Sequence, residues 1–394
     1  MSETIPTAQP SLQSEVSTAT PEAKAAESGR VVSIDALRGF DMFWIIGGQQ
    51  VVLAFAALFH GDEIPGWLTY HTHHPAWEGF AAWDLIMPLF LFITGTSMPY
   101  SFAKRMAHGA TKAELYRKLG KRVVVLFVLG MVVQGHLLDF DPSTLHIYCN
   151  TLQAIACGYC VAAIVLLRVG IRWQVTVALA LLVAYWALML LVPFGGHPAG
   201  TLQPDANLAL AIDEFILGRF RDGTSYTWIL SGLGFAATVL LGVLSGHVLR
   251  MTVRPIAKVL VLFGAGLLCL SLGWAWGNLP SPVQFPIIKH LWTSSMVLWS
   301  GGWCFLLMGG FYLVIDVMGL RRWAFPLVVI GMNSIAVYVA VHLIDFVQIA
   351  DRIVGGIARF LGPNGQELLR QSSALLLIWL ILLYLYRKRT FLRV

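Results

Sequence analysis

Long apolar segments separated by short polar ones dominate the chain from residue 31 onward. Each is about 20 residues long, the length an α-helix needs to cross the roughly 30 Å hydrocarbon core of a bilayer. The pattern therefore predicts an all-α polytopic integral membrane protein with about ten transmembrane helices. The predicted spans are 32–58, 80–103, 121–138, 148–168, 173–193, 227–249, 256–276, 292–316, 324–346 and 370–387.

Composition agrees with this pattern and divides the chain into two parts. Of the 394 residues, 57% are hydrophobic and 12% charged, with a mean hydropathy of +0.71, which excludes a water-soluble fold with an ordinary polar surface. Residues 1–30 are rich in Ser, Thr, Ala, Pro and Glu and cannot bury enough apolar surface to fold. We expect a disordered cytosolic tail over 1–30 and a single transmembrane domain over 31–394. No signal-peptide pattern precedes the first span, so we expect that span to be retained.

Basic residues predict how the chain is oriented. Most of the 27 Lys and Arg residues lie in the tail, in alternate loops and at the C-terminus, so the positive-inside rule places both termini in the cytoplasm. The net charge of +6 fits this bias and attraction to anionic lipid, and no basic cluster with stacking aromatics indicates a nucleic-acid partner. The five cysteines show neither disulfide nor metal-ligand spacing, so no metal is expected.

A histidine and a carboxylate stand close together where the second span begins. His74 lies in the preceding loop, and Asp84 lies just inside the span, where a charged group costs roughly 2.5–3.5 kcal/mol and so indicates a site. A structural alternative is that Asp84 only satisfies neighbouring helices and that the tryptophans form an interfacial belt. The other candidates on this extracytoplasmic face are Gln49, Trp77, Asn150, Gln153, Trp292 and Ser295.

Polar and basic residues at the cytoplasmic end and within span 9 are candidates for binding a phosphate-bearing cytosolic ligand. Guanidinium groups make paired hydrogen bonds with phosphate. A polar stretch at 94–97 of span 2 predicts a path between the two ends. The structural alternative is an Arg38–Asp35 ion pair and helix–helix hydrogen bonds from Asn333. The candidates are Asp35, Arg38, Lys121, Arg122, Asn333 and Ser334.

Eight short blocks, in order from Ser33 to the C-terminus, carry a family resemblance. They are Ser33-x-Asp35-x-x-Arg38-Gly39, His74-x-x-Trp77-x-Gly79, Asp84-Leu85-x-x-Pro88-x-Phe90, Thr151-Leu152-Gln153, Leu241-Gly242-Val243, Leu291-Trp292-x-x-Ser295, Gly331-Met332-Asn333-Ser334 and Tyr386-Arg387-Lys388. Together they resemble the heparan-α-glucosaminide N-acetyltransferase family, in its bacterial branch.

The resemblance implies transfer of an acetyl group from cytosolic acetyl-CoA to the amine of a glucosamine-type sugar across a bacterial inner membrane. It also implies that His74 is the active-site histidine and that Gln49 replaces the family's Asn at the end of the preceding helix. The family's late histidine falls at Val341, and His342 follows it. Imidazole suits the step either as a base or as a carrier of the acetyl group.

Other functions remain open from the sequence. O-acetylation of a glycan hydroxyl would use the same residue types, and a non-catalytic transporter or flippase would need a polar path without a catalytic histidine. Symmetric pairs are the commonest assemblies, so a homodimer is the default expectation.

Overall fold

The computed structural model describes residues 31–61 and 63–391, so the predicted tail over 1–30 lies outside the described residues. Helices account for nearly all regular structure in this part, and two short antiparallel strands, β1 Leu202–Gln203 and β2 Ala206–Asn207, form a hairpin. The helices are α1 Val32–Phe43, α2 Gln49–His60, α3 Gly66–Thr72, α4 Ile86–Ala107, α5 Lys112–Val133, α6 Thr151–Arg168, α7 Ile171–Leu191, α8 Leu208–Leu217, α9 Gly232–Arg250, α10 Pro255–Gly277, α11 Ser294–Phe311, α12 Phe325–Gly331, α13 Ser334–Leu343, α14 Phe346–Ala358 and α15 Pro363–Arg387.

The helices confirm the predicted class of all-α polytopic membrane protein. Among the described residues, eight helical segments are long and apolar enough to cross a bilayer, and a ninth is obtained if the bent pair α12–α13 counts as one span. The third predicted span corresponds to α5, which begins earlier, at Lys112, and carries Lys and Arg along its first half. The predicted count of ten and the cytoplasmic termini stay predictions.

Two predicted spans are broken rather than continuous. Between α1 and α2 the chain forms a π-helical turn, Trp44–Gly48, in which Gly47 has a φ of 133° that a residue with a side chain rarely adopts. Helices α12 and α13 meet at a 64° bend beside Asn333. Both breaks put non-helical backbone inside an apolar segment, which is tolerated where protein or a cavity satisfies it.

Helices α4 and α9 make a close backbone contact in the interior. A Cβ built on Gly95 would lie 2.0 Å from the Val239 carbonyl oxygen, and one on Gly242 would lie 2.0 Å from that of Phe92. Glycines permit this approach, as in other membrane helix pairs. The polar stretch of α4 is satisfied within its own helix, since the Thr96 hydroxyl donates to the Phe92 carbonyl at 3.0 Å. The Gly95 face of α4 is therefore packed against α9, and the polar path along α4 stays a prediction.

Candidate active site

A cavity of about 990 Å³ lies where several helix ends and loops meet, and it contains His74. Its walls come from the break between α1 and α2, the start of α4, the loop before α9, and the segment joining α13 to α14. The polar side chains on these walls are those of Gln49, Gln50, His74, Gln134, Thr151, Asp222, Thr224, Tyr226, Lys289, Tyr338, His342, Asp345 and Gln371. The cavity is thus large and is lined by helix ends as well as by the loops between them.

His74 and Asp84 form a direct hydrogen bond. The two atoms, His74 Nδ1 and Asp84 Oδ1, are 2.6 Å apart, and the ring is 36% exposed whereas the carboxylate is 1% exposed. The other carboxylate oxygen accepts from the Ala81 N–H at 2.8 Å, which also caps the 3₁₀ turn Ala82–Leu85. Because the carboxylate accepts a hydrogen bond from the Nδ1–H group, the proton of the neutral ring stays on Nδ1. The lone pair of Nε2 is then available as a base or nucleophile.

Lys289 completes the cluster; the sequence places it on the same extracytoplasmic face, at the start of span 8, but it was not chosen as a site residue. Its Nζ lies 3.4 Å from Asp84 Oδ1 and 3.2 and 3.3 Å from the two ring nitrogens of His74. Burial lowers the pKa of Lys289 from 10.5 to about 8, an effect that the nearby Asp84 charge partly offsets. The sequence holds one signal for it, a lysine just before span 8 on a face poor in basic residues.

A β-bridge joins the loop of His74 to the loop of Lys289. The Gly79 N–H donates to the Ile287 carbonyl at 2.9 Å, and the rings of Trp77 and His290 stack at 5.3 Å between centroids. Trp77 Nε1 also donates to the Leu202 carbonyl at 2.9 Å. Trp77, a predicted sugar-stacking residue, therefore fastens the two loops together and does not line the cavity.

The two predicted substrate-binding residues of span 8 make hydrogen bonds that support the loop containing Lys289. Ser295 Oγ donates to the Pro286 carbonyl at 3.0 Å, and Trp292 Nε1 donates to Thr238 Oγ1 at 3.1 Å. Both side chains are buried away from the cavity. The structure thus places Trp292 and Ser295 where they hold the Lys289 loop against α9, not where a sugar would contact them.

The three amide side chains predicted at the site lie in different places relative to the cavity. Gln49 lines the cavity and donates to the Thr72 carbonyl, next to the His74 loop. Asn150 caps α6 and donates to the cavity-lining side chains of Gln134 and Tyr338. The side-chain amide of Gln153 is hydrogen-bonded to backbone groups of residues 147–150, and its oxygen accepts from the Cys149 N–H at 2.9 Å. Only Gln49 of the three lies on the cavity wall in the described structure.

His342, which follows the position of the family's late histidine, lies on the cavity wall. Val341 and His342 both line the cavity, and His342 Nδ1 contacts the Tyr338 carbonyl at 2.7 Å. A shift of one residue along α13 therefore leaves an imidazole facing the same space.

The predicted phosphate-binding residues lie outside the cavity wall. Arg38 Nη2 donates to Ser97 Oγ at 2.8 Å and Nη1 lies 3.5 Å from Asp35 Oδ1. The Arg122 guanidinium lies 4.3 Å from the ring centroid of Tyr159. The remaining members of the set, none of which lines the cavity, are Lys121, Asn333 and Ser334.

A second, much smaller cavity of about 30 Å³ adjoins the first. It shares Ile45, Met87 and Tyr338 with the large cavity and adds Phe90 and Ile155. These residues belong to the α1–α2 break and to α4, α6 and α13. A space of about 30 Å³ therefore lies between these four elements, next to the large cavity.

The helices and this cluster define a polytopic membrane protein with a His–Asp–Lys site in a large polar cavity. The family model described as heparan-alpha-glucosaminide N-acetyltransferase, catalytic, matches residues 30–266, more than half of the chain. The chain belongs to this family, which confirms the resemblance found in the sequence.

Two mammalian relatives carry the family's name. The mouse heparan-alpha-glucosaminide N-acetyltransferase is 23% identical over 434 aligned positions, which cover 94% of this chain and 61% of the mouse protein. The human heparan-alpha-glucosaminide N-acetyltransferase is 24% identical over 380 positions, which cover 82% of this chain and 56% of the human protein. The chain thus spans about three fifths of the length of these curated relatives.

Proposed function

We propose that the protein transfers an acetyl group from cytosolic acetyl-CoA to the amine of a glucosamine-type sugar on the extracytoplasmic face of a bacterial inner membrane. His74 is the catalytic residue. The observation that carries the proposal is the His74–Asp84 hydrogen bond of 2.6 Å at the wall of the 990 Å³ cavity. It is made in a chain that belongs to this family.

The geometry of His74 suits two versions of the reaction. In direct transfer, the amine nitrogen attacks the thioester carbonyl carbon and gives its proton to His74 Nε2; the C–S bond then breaks, and the departing thiolate takes that proton. In the stepwise version, Nε2 attacks first, the thiolate leaves, and the acetyl group passes from the ring to the amine, whose proton then goes to the thiolate. In both, the buried Asp84 carboxylate stabilises the positive charge that develops on the imidazole.

Inward access for the donor follows the small cavity rather than the polar stretch of α4. Met87 lines both the cavity that contains His74 and the small cavity, which Phe90 also lines. Arg38 and Arg122, on α1 and α5, are guanidinium groups suited to the phosphates of acetyl-CoA at the cytoplasmic mouth. The pantetheine arm would lie between these two regions, with the thioester at His74.

Carboxylates on the cavity wall favour an amine over a hydroxyl as acceptor. Asp222 and Asp345 both line the space that contains His74. A carboxylate there attracts an ammonium group, whereas a neutral hydroxyl gains no such attraction. N-acetylation is therefore the reaction that we propose first, and O-acetylation is the second candidate.

Acetyl transfer by purified protein in detergent tests this function. Radiolabelled acetyl-CoA and glucosamine are supplied to the wild type, to His74→Ala and to His73→Ala. His73 is a matched control because it is exposed, contacts its own helix through the Thr69 carbonyl at 2.9 Å and does not line the cavity. We expect transfer by the wild type and by His73→Ala, and none by His74→Ala. A wild type that neither transfers acetyl nor binds acetyl-CoA would contradict the enzyme and favour a transporter.

A further inference from the structure

Lys289 occupies an unusual position relative to the His74 ring. Its Nζ is almost equally far from both ring nitrogens, at 3.2 and 3.3 Å. An atom so placed in the plane of the ring would collide with the Cε1–H group, which lies between the two nitrogens. The ammonium group therefore lies out of the plane of the imidazole ring.

This placement leaves the in-plane lone pair of Nε2 open. The Nδ1 proton is held by Asp84, and Lys289 approaches from above, so neither blocks the direction from which an acceptor or a thioester must come. An ammonium group has three hydrogens. One can serve Asp84 Oδ1 at 3.4 Å, and others remain for the cavity, which Lys289 lines.

We propose that Lys289 is a second catalytic residue, which donates a hydrogen bond to the oxyanion that forms when the thioester carbonyl carbon is attacked beside His74. The inference rests on the proposed acetyl transfer. The carbonyl double bond becomes a C–O⁻ single bond, Lys289 stabilises that charge without losing its proton, and the double bond re-forms as the C–S bond breaks. Nothing else in the step changes, so atoms and electrons balance as in the scheme above.

A purely structural role is the competing explanation. Lys289 could serve only to neutralise Asp84, which is 1% exposed. Asp84, however, already accepts from His74 Nδ1 and from the Ala81 N–H, so both of its oxygens have donors without Lys289. Lys289 also lines the cavity, and its ammonium group lies close to His74 Nε2, the atom at which the proposed reaction takes place.

The electrostatic surroundings favour a charge on Lys289 at neutral pH and its loss under alkaline conditions. Asp84 is the anionic group facing it; His290 has its pKa lowered to about 4 by burial, and burial raises the pKa of Tyr226 to about 12, so both are neutral near pH 7. The cationic form is the active one. With the pKa of Lys289 at about 8, kcat should fall as the pH rises through 8.

The test compares kcat, KM and the pH profile of the wild type with those of Lys289→Met and Lys289→Arg. Met keeps the length of the side chain and removes the charge, so we expect kcat to fall about 10²-fold or more with little change in KM for acetyl-CoA. Arg keeps its charge at every accessible pH, so it should retain much of kcat and move the alkaline limb above pH 10. Lys258→Met is the matched control, because Lys258 donates to the Leu249 carbonyl at 2.8 Å and does not line the cavity.

Each outcome decides between the explanations. A Lys289→Met protein that folds and keeps kcat within threefold would overturn the role of Lys289 while leaving the acetyltransferase intact. A Lys289→Arg protein that folds and is as slow as Lys289→Met would also overturn it, because the charge at this position would then not support the reaction. A wild type without any acetyl transfer would instead remove the proposed function itself, and the role of Lys289 with it.

Discussion

The α4–α9 contact and the His74 cavity differ in packing: the first is closely packed, and the second is open. In the helix contact, Gly95 and Gly242 bring two backbones together and leave no room for a side chain. At the cavity, His74 and Lys289 come from loops 215 residues apart and enclose about 990 Å³ of space. The first region fixes the positions of the helices, and the second brings buried polar groups to the edge of an open cavity. Substitutions in the two regions should therefore change different observables.

The largest effect expected at the cavity follows from Asp84→Asn. The amide retains an oxygen that can accept one hydrogen bond but carries no charge to stabilise a positive imidazole, so kcat should fall about 10³-fold, equivalent to about 4 kcal/mol. The measurement is kcat at saturating acetyl-CoA and glucosamine. Asp351→Asn is the control, since it removes only the half-exposed ion pair with Arg370 at 2.6 Å. A loss below tenfold for Asp84→Asn would show that the carboxylate does not assist His74.

A smaller effect, on stability rather than chemistry, is expected from Gly95→Ala. The new Cβ would lie 2.0 Å from the Val239 carbonyl oxygen, and the helices would have to separate at a cost of about 3 kcal/mol. Thermal unfolding in detergent measures it. Gly120→Ala in α5 meets nothing within 4 Å and should stabilise its helix slightly. Equal melting temperatures for the two variants would mean that α4 and α9 are not in tight contact.

The smallest effect, about 1 kcal/mol, is expected from Trp77→Phe. Phe retains an aromatic ring against His290 but loses the indole N–H that donates to the Leu202 carbonyl. If Trp77 fastens the loops, the melting temperature and kcat should both fall modestly while KM for glucosamine stays constant. A rise in KM with unchanged stability would restore the sugar-stacking role predicted from the sequence.

Hydropathy located the membrane helices well and their irregularities poorly. Apolar length alone placed most spans to within a few residues, because crossing hydrocarbon requires it. The bend beside Asn333 coincides with the polar residues Asn333 and Ser334, which were interpreted as polar positions within one continuous span. The start of α5 at Lys112 was missed because its charged first half reads as a loop, although Thr111 and Glu114 form a readable capping box. Helices α3, α8 and α14 were missed because they are too short or too polar to resemble a span.

Residues near each other in sequence made part of the site predictable. His74 and Asp84 are ten residues apart, so their shared position at one end of α4 could be inferred. Topology placed Lys289 on the same face as these two residues, but its direct contact with them could not be predicted, because that contact depends on the β-bridge between Glu78 and Ile288. Residue type suggested Trp77 and Trp292 for a sugar ring; their indole N–H groups are hydrogen-bonded within the protein, and the sugar-binding role stays a prediction.

The central claim, acetyl transfer across a membrane at His74, is tested most directly in sealed proteoliposomes. Radiolabelled acetyl-CoA is supplied on the face that carries the C-terminus, and glucosamine is enclosed on the other face. We predict labelled N-acetylglucosamine on the glucosamine side with the wild type and none with His74→Ala. Product formed only when both substrates share one face, or formed equally by His74→Ala, would contradict the account.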